Sequence, residues 1–170
     1  DALLRTLIIQ LIALHSYDEL KIMLLTGEKD VHNWEFIRPI RHFWNDDRSM
    51  RFFAASEDEV KELSQYIENN VLQADATKSE PYYVIICTDK KLYEKSSTLQ
   101  KLIQSEADGS FSVIFAEKEL KLLPKETKLV IAADGGDSRI YDREDNTGKY
   151  VGFRHDSFDT AVLDKVSQRI

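Results

Sequence analysis

The chain is poor in the residues from which small sites are most often built. One cysteine among 170 residues, Cys87, excludes both a disulfide framework and a thiolate cluster for zinc. It lies in the apolar run YYVIIC, where a buried, inert thiol is expected. There are 6 glycines and 3 prolines, and neither G-x-x-x-x-G-K-[ST] nor G-x-G-x-x-G occurs, so these residues hold no recognisable phosphate loop. Positive charge is in deficit. With 23 basic against 30 acidic residues, a net charge of -7 and a pI near 5.2, no global field attracts nucleic acid or an anionic membrane. Long apolar runs are missing as well. The run from Leu7 to Leu14 is interrupted by Gln10 and preceded by Arg5, short of the ~20 residues a membrane span needs, and no small-residue cleavage site follows. A helix buried on most sides suits it better.

What is present is enough apolar content, 42%, for one sizeable core, and too little length for two ordinary domains. The opening helix leads to KIMLLT (21–26), an apolar run that reads as a buried strand. WEFIRPIRHFW (34–44) reads as a short helix or irregular aromatic segment limited by Pro39, and MRFFAA (50–55) as a second strand. Ser56 with Glu59 forms a capping box, and Val60, Leu63, Ile67 and Val71 share one stripe, which predicts an amphipathic helix over 57–72.

A polar loop (74–81) precedes YYVIICT (82–88), expected to be a central strand because it is apolar on both faces. A helix over 97–106 carries Leu99, Leu102 and Ile103, and ADG then turns the chain into the strand FSVIFA (111–116). A short helix EKELKLL is ended by Pro124, and KLVIAAD (128–134) is the fifth strand. A hairpin of SRIYDR against KYVGFR follows, with Gly148 supplying positive φ, and then a C-terminal helix over 157–169 with Phe158, Ala161, Val162 and Val166 inward. Alternating strands and helices of this kind indicate an α/β fold with a mostly parallel sheet flanked by helices.

Little chemistry is legible in these residues. Gly135-Gly136, between Asp134 and Asp137, reads as a tight turn, and Asp142, Glu144 and Asp145 miss the EF-hand spacing. His15, His32, His42 and His155 sit in unrelated segments without H-E-x-x-H, so no metal site is expected. No serine lies in G-x-S-x-G, and Cys87 is mid-strand, so nucleophilic catalysis has no candidate. Arg38, Arg41, Arg48 and Arg51 lie among Trp34, Phe36, Phe43, Trp44, Phe52 and Phe53, a composition that could stack single-stranded nucleic acid. Asp46, Asp47 and the overall acidity favour core aromatics with solvated or partner-facing arginines.

ALLRTLIIQLIALHSYDELKIMLL resembles the stretch after the Walker A loop of FtsK/SpoIIIE-type motor ATPases, where GKS-E-LLRTL leads into an apolar helix, HSPDEL and the next strand. The resemblance places the phosphate loop upstream of Asp1. PYYVIICTDKKLYE (81–94) resembles the Walker B strand, with Thr88 and Asp89 at the Asp-Glu pair; a one-residue shift puts Asp89 and Lys90 there, and neither register keeps a competent pair. ADGSFSVIFAEK (107–118) resembles the strand that senses the γ-phosphate, with Glu117 and Lys118 in place of Thr and Gln. HSYDELKIMLLT, the Trp-rich segment, RHFWNDDRSMRFFA, LLPKETKLVIAAD and Phe153-Arg154-His155-Asp156 are most similar to the membrane-proximal, degenerate domain of EssC/YukB/EccC-type motors of type VII secretion.

The resemblance implies one ATPase-like domain over 1–170, P-loop NTPase-like (RecA/FtsK-like) without a functional phosphate loop. It would be a fragment of a larger, membrane-anchored, hexameric chain at the cytoplasmic face of the bacterial plasma membrane. Its implied partners are other domains and subunits of the same motor, other secretion-system membrane components and the parent's secreted helical substrates, with no nucleic acid. No cofactor or metal is implied for this domain; ATP and magnesium belong to the parent's other modules. A non-catalytic coupling module is expected, against the alternative of a nucleotide-binding ATPase domain whose Walker A loop lies upstream. Trp34, Arg38, Arg41, Trp44 and Arg48 are the expected partner interface, because arginine and tryptophan are enriched among interface anchors. The competing reading has Trp34, Phe36 and Trp44 covering the sheet edge.

Overall fold

Alternate residues of the first strand face two different cores. In the computed structural model, which describes residues 2–72, 81–105, 110–134, 137–156, 162 and 165, strand β1 (Leu20–Leu25) is buried along its whole length. Leu20, Ile22 and Leu24 pack with Leu4, Ile8, Ile9 and Ile12 of helix α1 (Ala2–Leu14). Met23 and Leu25 pack with Val60, Leu63 and Ile67 of helix α2 (Glu57–Asn70) on the other side. A strand covered on both faces has no polar side, which is why KIMLLT shows no alternation of apolar and polar residues.

The sheet built on β1 is four-stranded and all parallel, in the order β2-β1-β3-β4, with β2 at Phe53–Ala54, β3 at Tyr82–Cys87 and β4 at Phe111–Phe115. The fold is α/β, and β3 is central as expected. Helix α2 links β2 to β3, and helices α3 (Lys90–Lys95) and α4 (Ser97–Gln104) link β3 to β4. Leu63, Leu92, Leu99 and Leu102 from these helices share one core, so α2, α3 and α4 lie on one face of the sheet, and α1 with Trp34, Ile37 and Phe43 of the β1–β2 connection lies on the other. The capping box of α2 is present: Ser56 Oγ accepts from the Glu59 amide, and the Glu59 carboxylate accepts from the Ser56 amide at 3.0 Å.

The other differences from the sequence reading have local causes. The stretch 50–55 pairs in parallel only at Phe53 and Ala54, because Arg51 bridges back to Trp44 and the Phe52 amide bonds the Phe43 carbonyl. Those bonds close residues 43–52 into a local hairpin. The aromatic segment is two 3₁₀ stretches, Glu28–Ile37 and Arg41–Phe43, divided around Pro39. EKELKLL forms only a single 3₁₀ turn, Leu120–Leu122. Helix α3 was not legible, since six residues are too short to show a helical stripe.

KLVIAAD does not join the parallel sheet. Strand β5 (Leu129–Asp134) pairs antiparallel with β6 (Asp137–Asp142), and β6 with β7 (Val151–Arg154), so the hairpin and β5 form a separate three-stranded sheet. Gly148 has φ 73 in the β6–β7 turn, as expected. The Gly135-Gly136 turn, the ADG turn, nearly all of the 74–81 loop and most of the C-terminal helix lie outside the described residues. Val162, expected to face inward, is helical but 42% exposed. Among the described residues, no helix is long and apolar enough to cross a membrane.

Candidate functional site

In an open parallel sheet the chemistry-bearing positions lie beyond the carboxyl ends of the strands, because loops diverge there from rigid, paired backbone. Here the carboxyl ends of β1, β3 and β4 are in register, with Leu25 opposite Cys87 and Cys87 opposite Phe115. The next residues on each strand, Thr26, Thr88 and Ala116, stand side by side, held by Thr88 N to Leu25 O and Ala116 N to Cys87 O, both 2.9 Å. Thr26 is buried, and its Oγ1 accepts from Thr88 Oγ1 at 2.9 Å. Thr88, the first Walker B-like position, is thus spent on a hydroxyl pair between neighbouring strands.

Asp89, the second position, is also committed. Its Oδ1 accepts from the Lys91 amide at 2.8 Å and caps the start of α3. Its Oδ2 lies only 2.8 Å from where a Cβ on Gly27 would stand, so a side chain at 27 would collide with a carboxylate already pinned by the cap. Asp30 Oδ2 is 3.8 Å from the same point.

Glu117, at the sensor-like position, is half-buried, and its Oε1 is buried without a hydrogen-bond partner. Burial raises its pKa, the negative charge of Asp89 raises it further, and Lys90 opposes both. Asp89 and Glu117 therefore meet at the carboxyl ends of the strands, although they are 28 positions apart in the chain. Lys118 is exposed, and Lys90 pairs with Glu94 at 3.4 Å. Sequence reasoning missed Thr26, Gly27 and Asp30. The available signal was the first polar residue after an apolar strand, and its meaning depends on which strands are neighbours.

The expected interface residues separate into two groups. Trp34, 2% exposed, and Phe36, 6% exposed, are core residues packed with α1 and β1, so they offer no surface to a partner. Trp34 is a correction to the interface reading: its 3₁₀ stretch turns the indole inward, where Arg5 stacks over it with 5.9 Å from guanidinium to ring centre. Trp44 is half-buried. Its Nε1 donates to the Arg38 carbonyl at 3.1 Å, and its own carbonyl accepts from the buried Lys21 Nζ at 3.2 Å. Arg38 is exposed and pairs with Glu35 at 2.7 Å. Arg41 stacks on Tyr17 at 3.9 Å, and Arg48 is exposed at φ 59.

Of the four histidines, His15 and His42 meet, and His155 lies on the antiparallel sheet side. His42 is buried, its Nε2 is 2.9 Å from the His15 carbonyl, and its Nδ1 lacks a partner. His155 Nδ1 is 3.0 Å from the buried Ser138 hydroxyl. Among the described residues no group of three or more His, Cys, Asp or Glu could hold a metal ion. Burial pushes the Cys87 thiol up to about 12. Comparison with known proteins found no matching family model and no matching curated protein.

Proposed function

We propose that this chain is a non-catalytic, ATPase-like module of a type VII secretion motor, coupling a membrane pore to active ATPase modules during protein export. One observation carries the reading. Both side chains at the Walker B-like positions are tied to local structure, Thr88 to Thr26 and Asp89 to the α3 cap against Gly27. A magnesium-binding Asp and a water-positioning Glu need carboxylates free to face a nucleotide. Glu117 is a further acid at these strand ends, and burial, with the charge of Asp89, favours its protonated form. These residues do not fit magnesium and ATP.

On this reading the domain binds no cofactor and no nucleic acid, and surfaces rather than a pocket carry its role. Its partners are neighbouring domains and subunits, secretion-system membrane components and, through the parent chain, helical secreted substrates, at the cytoplasmic face of the plasma membrane. The partner-facing surface narrows to Arg38, Arg41, Trp44 and Arg48, since Trp34 is core. The test is an ATPase assay of the purified chain with magnesium, alongside binding of a fluorescent ATP analogue. Background hydrolysis and no saturable binding are expected. A magnesium-dependent rate that disappears on Asp89→Ala would refute the reading.

A further inference from the structure

Helix α4 starts against the side of α2, and half of its opening amides have nothing to bond. The four N–H groups at the start of a helix lack partners within it and must be answered from elsewhere. Ser96 is extended, at φ -94 and ψ 114, so one residue both ends α3 and caps α4. Its amide donates to the Tyr93 carbonyl, and its Oγ accepts from the Leu99 amide at 3.2 Å. The other two amides, of Ser97 and Thr98, have no partner among the described residues. They are consecutive donors at the positive end of an eight-residue helix.

A side chain adds a third donor. Glu57, Lys61, Ser64 and Glu68 recur at intervals of three or four along α2 and so share one stripe, which faces the start of α4 across an open cavity of about 270 Å³. Lys95, Ser96, Ser97 and Thr98 form the opposite wall. The two walls are tied together by the hydroxyls of Ser64 and Ser96, 2.8 Å apart. Thr98 is only 5% exposed, yet its hydroxyl has no hydrogen-bond partner among the described residues. That hydroxyl is not sealed off in protein either, so the sliver of surface Thr98 keeps opens on the cavity it lines. An unanswered hydroxyl on so buried a residue is costly, and a ligand in the cavity would answer it.

Two free amides and a free hydroxyl on adjacent residues suit a ligand that carries several acceptor oxygens and negative charge. We infer that this cavity binds a phosphate group, free or on a small soluble molecule, through the Ser97 and Thr98 amides and the Thr98 hydroxyl, with Lys95 as its counter-charge. Lys95 is shared with Glu57 and Lys61 with Asp58, and all four side chains are more than half exposed, so either lysine turns to a stronger anion at little cost. Glu57 and Glu68 also line the cavity, and with the net charge of -7 they repel a nucleic-acid strand or an anionic membrane, which would press many phosphates past them, more than a single phosphate. The volume lies just below the ~300 Å³ at which pockets for drug-sized ligands begin, which fits a small molecule. The site uses none of Thr26, Thr88, Asp89 or Glu117, so it stands or falls separately from the ATPase-like reading.

Amide proton–nitrogen NMR spectra of the 170-residue chain, titrated with sodium phosphate and separately with sodium chloride at matched ionic strength and constant pH, read the site directly. Saturable shifts of the Ser97 and Thr98 amides are expected with phosphate and not with chloride. Glycerol 1-phosphate is the second probe: a tighter curve assigns a small organic phosphate, and an equal one free phosphate. Thr98→Val keeps the branched shape without the hydroxyl and should weaken binding about tenfold. Ser97→Pro removes one amide where proline suits the first helical position and the preceding Ser96 is already extended, and it should weaken binding to a similar degree. The remaining amide signals show whether each variant is folded, and either one alone is sufficient for the test. Phosphate shifts no larger than those with chloride, shifts that fall on Thr26 and Thr88 instead, or folded variants that titrate like the wild type would each overturn the inference.

Discussion

Trp34→Ala separates a core residue from a partner anchor. The indole is 2% exposed, and lies between α1, β1 and the neighbouring Phe36, whose ring centre is 6.2 Å away. Truncating a buried aromatic to alanine removes its transfer free energy and leaves a cavity that close-packed neighbours fill only in part, together costing about 3–5 kcal/mol. The Arg5 guanidinium loses its ring partner as well, worth about 0.5–1 kcal/mol at most exposed sites. Against a typical total of about 5–15 kcal/mol, the variant stays folded in water with a large part of its margin gone. For a chain of this size the melting temperature should drop by about 10 °C. Trp44→Ala makes the comparison. Trp44 is half-buried and gives up one hydrogen bond, to the Arg38 carbonyl, so its loss should be about 1–2 kcal/mol. Urea unfolding followed by far-ultraviolet circular dichroism measures both without relying on tryptophan emission. If Trp34→Ala unfolds within about 1 kcal/mol of the wild type, or Trp44→Ala costs more, the assignment of Trp34 to the core is wrong.

Three further outcomes follow from single groups. Ser56→Ala removes the cap acceptor of α2 and should cost about 1 kcal/mol, whereas alanine at the exposed Glu62 should change the urea midpoint little. Cys87, 1% exposed and with its thiol pKa pushed up to about 12, should react with a thiol reagent only as fast as the protein opens; rapid labelling of the native chain would contradict the central placement of β3. Burial holds the His42 pKa below its ordinary 6.5, so the unfolded chain binds a proton first. Stability from the neutral ring is complete above 6.5 and declines as pH falls below it, so the urea midpoint should drop between about pH 7.5 and 5.5 in the wild type and hardly move in His42→Phe.

Local chemistry determined a good part of this molecule from the sequence alone. The α2 start was legible because a capping box is a contact between residues three apart, and the burial of β1 and β3 because only a strand covered on both faces loses its polar alternation. The β6–β7 hairpin was legible from its turn, where Gly148 takes φ 73. Relations between distant segments were not. Whether KLVIAAD extends the parallel sheet or starts a second one depends on which neighbour offers a free edge, and its residues suit either. Trp34 and Arg48 carry the same composition signal for an interface, but a 3₁₀ stretch turns the first inward and a tight loop turns the second outward. The meeting of Gly27, Thr26, Thr88, Asp89 and Glu117 exists only because β1, β3 and β4 end in register. Sequence spacing records which residues are near along the chain, and strand pairing decides which are near in space.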